Sequence, residues 1–126
     1  PWQFVLDSIG GYILTAQHHF KNETYDKFNL NSNELNEISV VELSNKIIKK
    51  FDSNISINIK EDEIFSESKE LRIDSTKAKK VLSWEHFYKV DDIVENIYEW
   101  EKRKGSKEIK VETMRQVDKY LDLFSQ

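Results

Sequence analysis

The chain has no cysteine in 126 residues, which excludes disulfides and thiolate metal sites and suits a reducing compartment. Only three glycines occur, Gly10, Gly11 and Gly105, so the G-x-x-G-x-x-G loop that cradles a dinucleotide cannot be built from it. No apolar run approaches the roughly twenty residues that span a bilayer, and no signal peptide is visible. Basic charge is not in excess either. Nineteen Lys and Arg against 23 Asp and Glu leave a net charge of −4, so no basic field attracts nucleic acid or anionic lipid, and a phosphate-bearing ligand would need local donors. The three histidines have no metal-binding spacing: His18 and His19 are neighbours, about 100° apart on a helix, and His86 stands alone. All three read as surface or packing residues.

What is present is a series of short apolar patterns. Phe4-Val5-Leu6 reads as a short strand, followed by a helix capped by Asp7 or Ser8 with Ile9, Tyr12, Ile13, Ala16 and Phe20 on its core face. Residues 27–31 alternate Phe28 and Leu30 inward, and Ser39-Val40-Val41-Glu42 is a capping box whose helix turns Val40, Leu43, Ile47 and Phe51 to the core. Ile55, Ile57 and Ile59 alternate with polar residues in a half-buried strand, and the acidic stretch from Glu61 to Glu70 reads as a loop. Leu71 and Ile73 form one more short strand; Asp74 or Ser75 then caps a helix carrying Ala78, Val81 and Leu82 on one face, closed by Trp84. Residues 90–104 predict an amphipathic helix that begins near Asp91 and Asp92 and stops at Gly105. Residues 107–124 predict another, whose stripe of Met114, Val117, Leu121 and Phe124 packs on this domain, on a missing one or on a second subunit. The expected class is α/β, helix-rich with a few short strands. At 38% hydrophobic content the chain supports one modest domain of marginal stability.

Three stretches carry a family resemblance. Asp74-x-x-Lys77-Ala78-x-x-x-Leu82-Ser83-Trp84 resembles the D-x-x-K-A-x-x-x-L-G-W element of nucleotide-sugar epimerases and dehydratases, the extended branch of the short-chain dehydrogenases, with Ser83 in place of glycine. The opening PWQFVLDSIGGYIL is similar to the R-P-W-Q-H-V-L…G-Y-L segment of the CDP-glucose 4,6-dehydratases, and KFNLNSNELNEISVVEL to that family's F-N-F-G-P…P-V…L. The matches stand in family order and spacing over most of residues 1–84; residues 85–126 fit less specifically.

The resemblance implies that residues 1–126 are the C-terminal, substrate-binding portion of a Rossmann-type enzyme, with the NAD-binding domain absent from the chain. It also implies a nucleotide-sugar ligand and a parent enzyme that forms a 4-keto-6-deoxy sugar nucleotide with NAD. The parent is expected in the cytoplasm, with a second copy of itself as a candidate partner, no nucleic-acid or membrane partner and no catalytic residue in this portion. By family position the nucleotide-sugar phosphates lie near Ser66, Glu67 and Ser68. Glu67 keeps the family glutamate, and Ser66 replaces a histidine. Trp2 either lines the nucleotide pocket or serves as a plain core tryptophan. Tyr98-x-x-x-Lys102 spells the acid/base motif of these enzymes but follows the nucleotide-sugar motifs instead of preceding them, and Tyr98 continues the apolar face of Val90, Ile93, Val94 and Ile97. It reads as a packing tyrosine. The alternatives are another epimerase or dehydratase of the same branch, and a non-enzymatic α/β interaction module that uses the stripe of the last helix.

Overall fold

The computed structural model describes residues 2–32, 37–58 and 73–125. Five helices run through them: α1 (Val5–Asn22), α2 (Val40–Lys50), α3 (Thr76–Leu82), α4 (Val90–Glu101) and α5 (Ile109–Phe124). No strand occurs among the described residues, so the α/β expectation is overturned and the described fold is all-helical. The reason is partnership. A strand satisfies its backbone groups only against a neighbouring strand, and residues 27–31 and 55–58 run without one. Ile55 and Ile57 remain 69% and 37% exposed, so their alternation buries no face. The proposed strand at 4–6 is consumed by α1, which starts at Val5 with Phe4 as its N-cap. Ile59, the 61–70 loop and Leu71 lie outside the described residues.

Helix α2 begins as its sequence says. The Glu42 backbone N–H donates to Ser39 Oγ at 3.1 Å and the Ser39 N–H to Glu42 Oε2 at 2.8 Å, a reciprocal cap. Its burial is another matter: no α2 residue is fully buried and Val40 is 67% exposed. The helix is held to α4 by surface contacts, with Lys46 Nζ donating to Asp91 at 2.6 Å, Lys50 paired with Glu95, and Phe51 edge-on to the Tyr98 ring at 5.0 Å. Exposed pairs of this kind contribute about 0–1 kcal/mol each.

The core has two parts. Phe4, Tyr88, Ile93 and Tyr120 form one cluster, joined by Leu6, Phe87, Leu123 and Phe124 where α1 and α4 meet α5. Ala78, Leu82 and Trp84 form the other, joined by Leu14, Phe28 and Leu30 where α3 meets α1. On α3, Val81 stays 46% exposed, so only two of its three expected core residues point inward. The helix ends at Ser83 in the left-handed region (φ 53°), where the resembled motif has glycine and no Cβ penalty applies.

Both long helices turn a face to the core that their apolar stripes do not predict. In α1 the buried residues are Asp7, Gly10 and Gly11, while Val5, Ile9, Tyr12, Ile13 and Phe20 point outward. In α5 the buried residues are Glu112, Gln116 and Tyr120, whereas Met114 and Leu121 are each half exposed. Gly10 explains the α1 choice, since it lets α5 approach so closely that an added Cβ would stand 2.0 Å from Tyr120 Oη. Gly10→Ala is expected to destabilise by about 1–3 kcal/mol, the usual cost of overpacking, measured as a lowered urea midpoint at unchanged slope. Free accommodation of the methyl would mean that the α1–α5 contact is looser than described.

Candidate functional site

Asp7 joins the two clusters. Its side chain is fully buried, accepting from the Phe87 N–H at 3.0 Å and the Tyr88 N–H at 3.4 Å, and its carbonyl accepts the Trp84 indole N–H at 3.0 Å. One α1 residue thus fixes the entire turn from Trp84 to Tyr88. Burial pushes its carboxyl up to about 6, against the lowering pull of the two amides. The same burial, with Asp7 nearby, pushes Tyr120 up to about 12 and raises Tyr88. Sequence reading took Asp7 only for a helix cap. The overlooked signal is that it is the one acidic residue in the sixteen from Val5 to Phe20 of a chain that is 33% charged.

The three resembled stretches converge here. Gly11 contacts Leu30 and Trp84 so tightly that a Cβ would meet Leu30 Cδ1 at 2.4 Å and Trp84 Nε1 at 3.0 Å. Asn31 Nδ2 donates to the Ile73 carbonyl at 2.8 Å, and Ser75 Oγ to the Asn31 carbonyl at 3.3 Å. Asp74 caps α3 by accepting the Thr76 N–H at 2.8 Å. Residues 28–32 therefore lie between α1 and the start of α3, tied to residues 73 and 75 by these hydrogen bonds.

Trp2 stands at the same end. Its indole N–H donates to the Ile38 carbonyl at 2.8 Å, and its own carbonyl accepts the buried Ser32 hydroxyl at 2.8 Å. The ring is half-buried, with its one donor already committed. What Trp2 retains for a ligand is a ring face, not a hydrogen bond. Ser66, Glu67 and Ser68 lie outside the described residues.

Just past the end of α1, Asp26 gathers a polar cluster: Lys77 Nζ donates to it at 2.6 Å and His18 Nε2 lies 3.2 Å away. These partners hold its carboxyl down at about 2, while His19 Nε2 meets the Asp26 carbonyl at 2.8 Å and His18 packs edge-on to Phe28 at 5.5 Å. At the Tyr98-x-x-x-Lys102 motif, Lys102 Nζ sits over the Tyr98 ring, 4.8 Å from its centroid, and bonds Glu99 at 3.3 Å.

A cleft of about 320 Å³ opens between the first turn of α1, α4 and α5, walled by Phe4, Val5, Leu6, Ile97, Trp100 and Val117. Asn96 and Gln116 form its polar floor and are tied to each other, Gln116 Nε2 donating to the Asn96 carbonyl at 2.9 Å and to Glu112 Oε1 at 2.8 Å. Arg115, at 2.5 Å, holds the Glu112 carboxyl down at about 2. The cleft suits an apolar group rather than a phosphate. A dinucleotide finds no fit among the described residues: Gly10 and Gly11 are inside a helix and packed on side chains, and Gly105 (φ 81°) stands in a turn with nothing near it.

Fold and site together define a small helical unit built around a buried Asp–Trp keystone. Comparison with protein-family models, with curated proteins and with solved structures gave no match. No described helix is long and apolar enough to cross a membrane.

Proposed function

We propose that this chain is the nucleotide-sugar-binding portion of an NAD-dependent sugar dehydratase, of the kind that converts CDP-glucose to a 4-keto-6-deoxy sugar nucleotide, with the cofactor held by a domain outside these residues. The observation that carries the reading is convergence. Three stretches that resemble one family, separated by tens of residues, meet around Asp7, Leu30 and Trp84, and the packing uses the residues that carry the resemblance. Ala78, Leu82 and Trp84 of the third stretch are all buried, and Leu30 of the second and Gly11 of the first close over them.

In this reading the helical unit binds and orients substrate. The Trp2 ring face offers stacking to a base, while Ser66, Glu67 and Ser68 supply hydroxyls and one carboxylate near the phosphates and sugar. In the parent enzyme NAD would take the hydride from the sugar and later return it. No described residue of this chain is assigned to proton or hydride transfer, and the chain is expected to be inactive alone.

The test is to assay CDP-glucose consumption with added NAD, first by this chain and then by a product that also includes the in-frame coding sequence before Pro1. The expected outcome is no turnover from the first and a 4-keto-6-deoxy product from the second. Turnover by the chain alone, or an upstream sequence without a glycine-rich strand-loop-helix, refutes the assignment. UDP-, GDP- or dTDP-sugar turnover in place of CDP-glucose would move the parent to another member of the same enzyme branch.

A further inference from the structure

Helix α1 is packed on one side and apolar on the other. Its inner face packs on α3 and α5. Its outer face carries Val5, Ile9, Tyr12, Ile13 and Phe20 at 60%, 43%, 66%, 49% and 91% exposure, with Ala16 exposed between them. At 100° per residue these six positions fall within one stripe along the whole helix, about 27 Å long. Nothing described covers it. A helix that packs on one face and is apolar on the opposite one belongs between two layers, and an exposed continuous stripe of this size marks an interaction surface.

We propose that the second layer is the same helix of a second copy, packed antiparallel across a two-fold axis that passes between Tyr12 and Ile13. The spacing is self-complementary about that point. Reversing the helix sets Val5 against Phe20, Ile9 against Ala16 and Tyr12 against Ile13, so each pair matches a larger side chain with a smaller one. Charge agrees. A two-fold interface brings each residue near its own symmetry mate, where like charges repel; α1 bears no Lys, Arg or Glu from Val5 to Phe20, and its single Asp is buried on the other side. The size agrees too. With about 150–250 Å² per aromatic residue and less per Ile or Val, the stripe leaves on the order of 600 Å² to be covered, near the roughly 800 Å² per partner of a standard interface.

Sedimentation equilibrium at micromolar concentration tests this. The chain is expected at twice its 15.0 kDa mass, and Ile13→Lys, which places two ammonium groups beside the axis, should weaken association at least about tenfold while helical circular dichroism is unchanged. Because the chain has no cysteine, a second measurement is clean: Ile9→Cys and Ala16→Cys chains, mixed and oxidised, should form the mixed disulfide in preference to either like pair. This second measurement decides the matter if Ile13→Lys fails to fold. A monomeric wild type overturns the proposal, as it would if the stripe belonged to another domain. So does a dimer indifferent to Ile13→Lys, or cross-linking only between like positions.

Discussion

Trp84→Ala should leave the protein largely unfolded at room temperature. Trp84 is completely buried, packs with Ala78 and Leu82, and is sealed by Leu14, Phe28 and Leu30. Truncating a buried aromatic to alanine costs about 3–5 kcal/mol through lost transfer energy and the cavity left behind. Loss of the indole N–H bond to the Asp7 carbonyl adds about 1 kcal/mol. Domains are stable by only about 5–15 kcal/mol, and small ones lie low in that range. The deficit therefore approaches the total. Urea unfolding followed by circular dichroism is the measurement, with Trp84→Phe as the milder comparison because it keeps most of the volume and loses only the donor. A loss below about 1 kcal/mol for the alanine variant would show that the α1–α3 cluster does not hold the fold together.

The second large effect is a pH dependence of unusual sign. Carboxylates paired in the native state have depressed pKa values and lose stability on acidification. Asp7 does the reverse, since burial raises it from 3.8 to about 6. The native state therefore holds its proton where the unfolded chain has released it. The contribution is fully present below pH 3.8 and is lost as pH rises through about 6; two units at 1.36 kcal/mol each make it about 3 kcal/mol. Asp7→Asn should flatten this slope and stabilise the protein near neutral pH, by less than the full amount because the amide must fit its N–H₂ where an oxygen now accepts the Tyr88 N–H. His86 acts oppositely. Burial lowers its pKa, so its contribution grows as pH rises through the same region. Comparing wild type with Asp7→Asn at each pH subtracts it. Glu112 and Asp26, both held at about 2, lose their stabilising effect only as acidification proceeds below the ordinary carboxylate range. Identical pH profiles for wild type and Asp7→Asn would mean that Asp7 titrates in the folded protein as it does in the unfolded chain.

The helices were legible wherever the signal is local. The capping box at Ser39 and Glu42 and the Asp74 contact at the start of α3 each involve backbone groups within a few residues, so sequence spacing suffices to locate them, whereas α4 ends at Glu101, short of the stop expected at Gly105. The strands were not legible in the same sense. Alternation at 55–58 is one signature of a half-buried strand, but a ladder also requires a partner, and the described chain provides none. The faces of α1 and α5 misled for a related reason. Periodicity identifies an apolar stripe without saying what covers it, and both helices bury a second, more polar face through Gly10, Asp7, Gln116 and Tyr120.

Composition and spacing were enough to exclude disulfides, thiolate metal sites and a glycine-rich dinucleotide loop, and to locate all five helices within a few residues, because each of these depends on residue type or short-range order. The role of Asp7, the convergence of residues 11, 30 and 84, the commitment of the Trp2 indole N–H to Ile38 and the outward turn of the α1 stripe depend on which surfaces approach one another. Those approaches are settled by close packing across long sequence separations, and no local pattern encodes them.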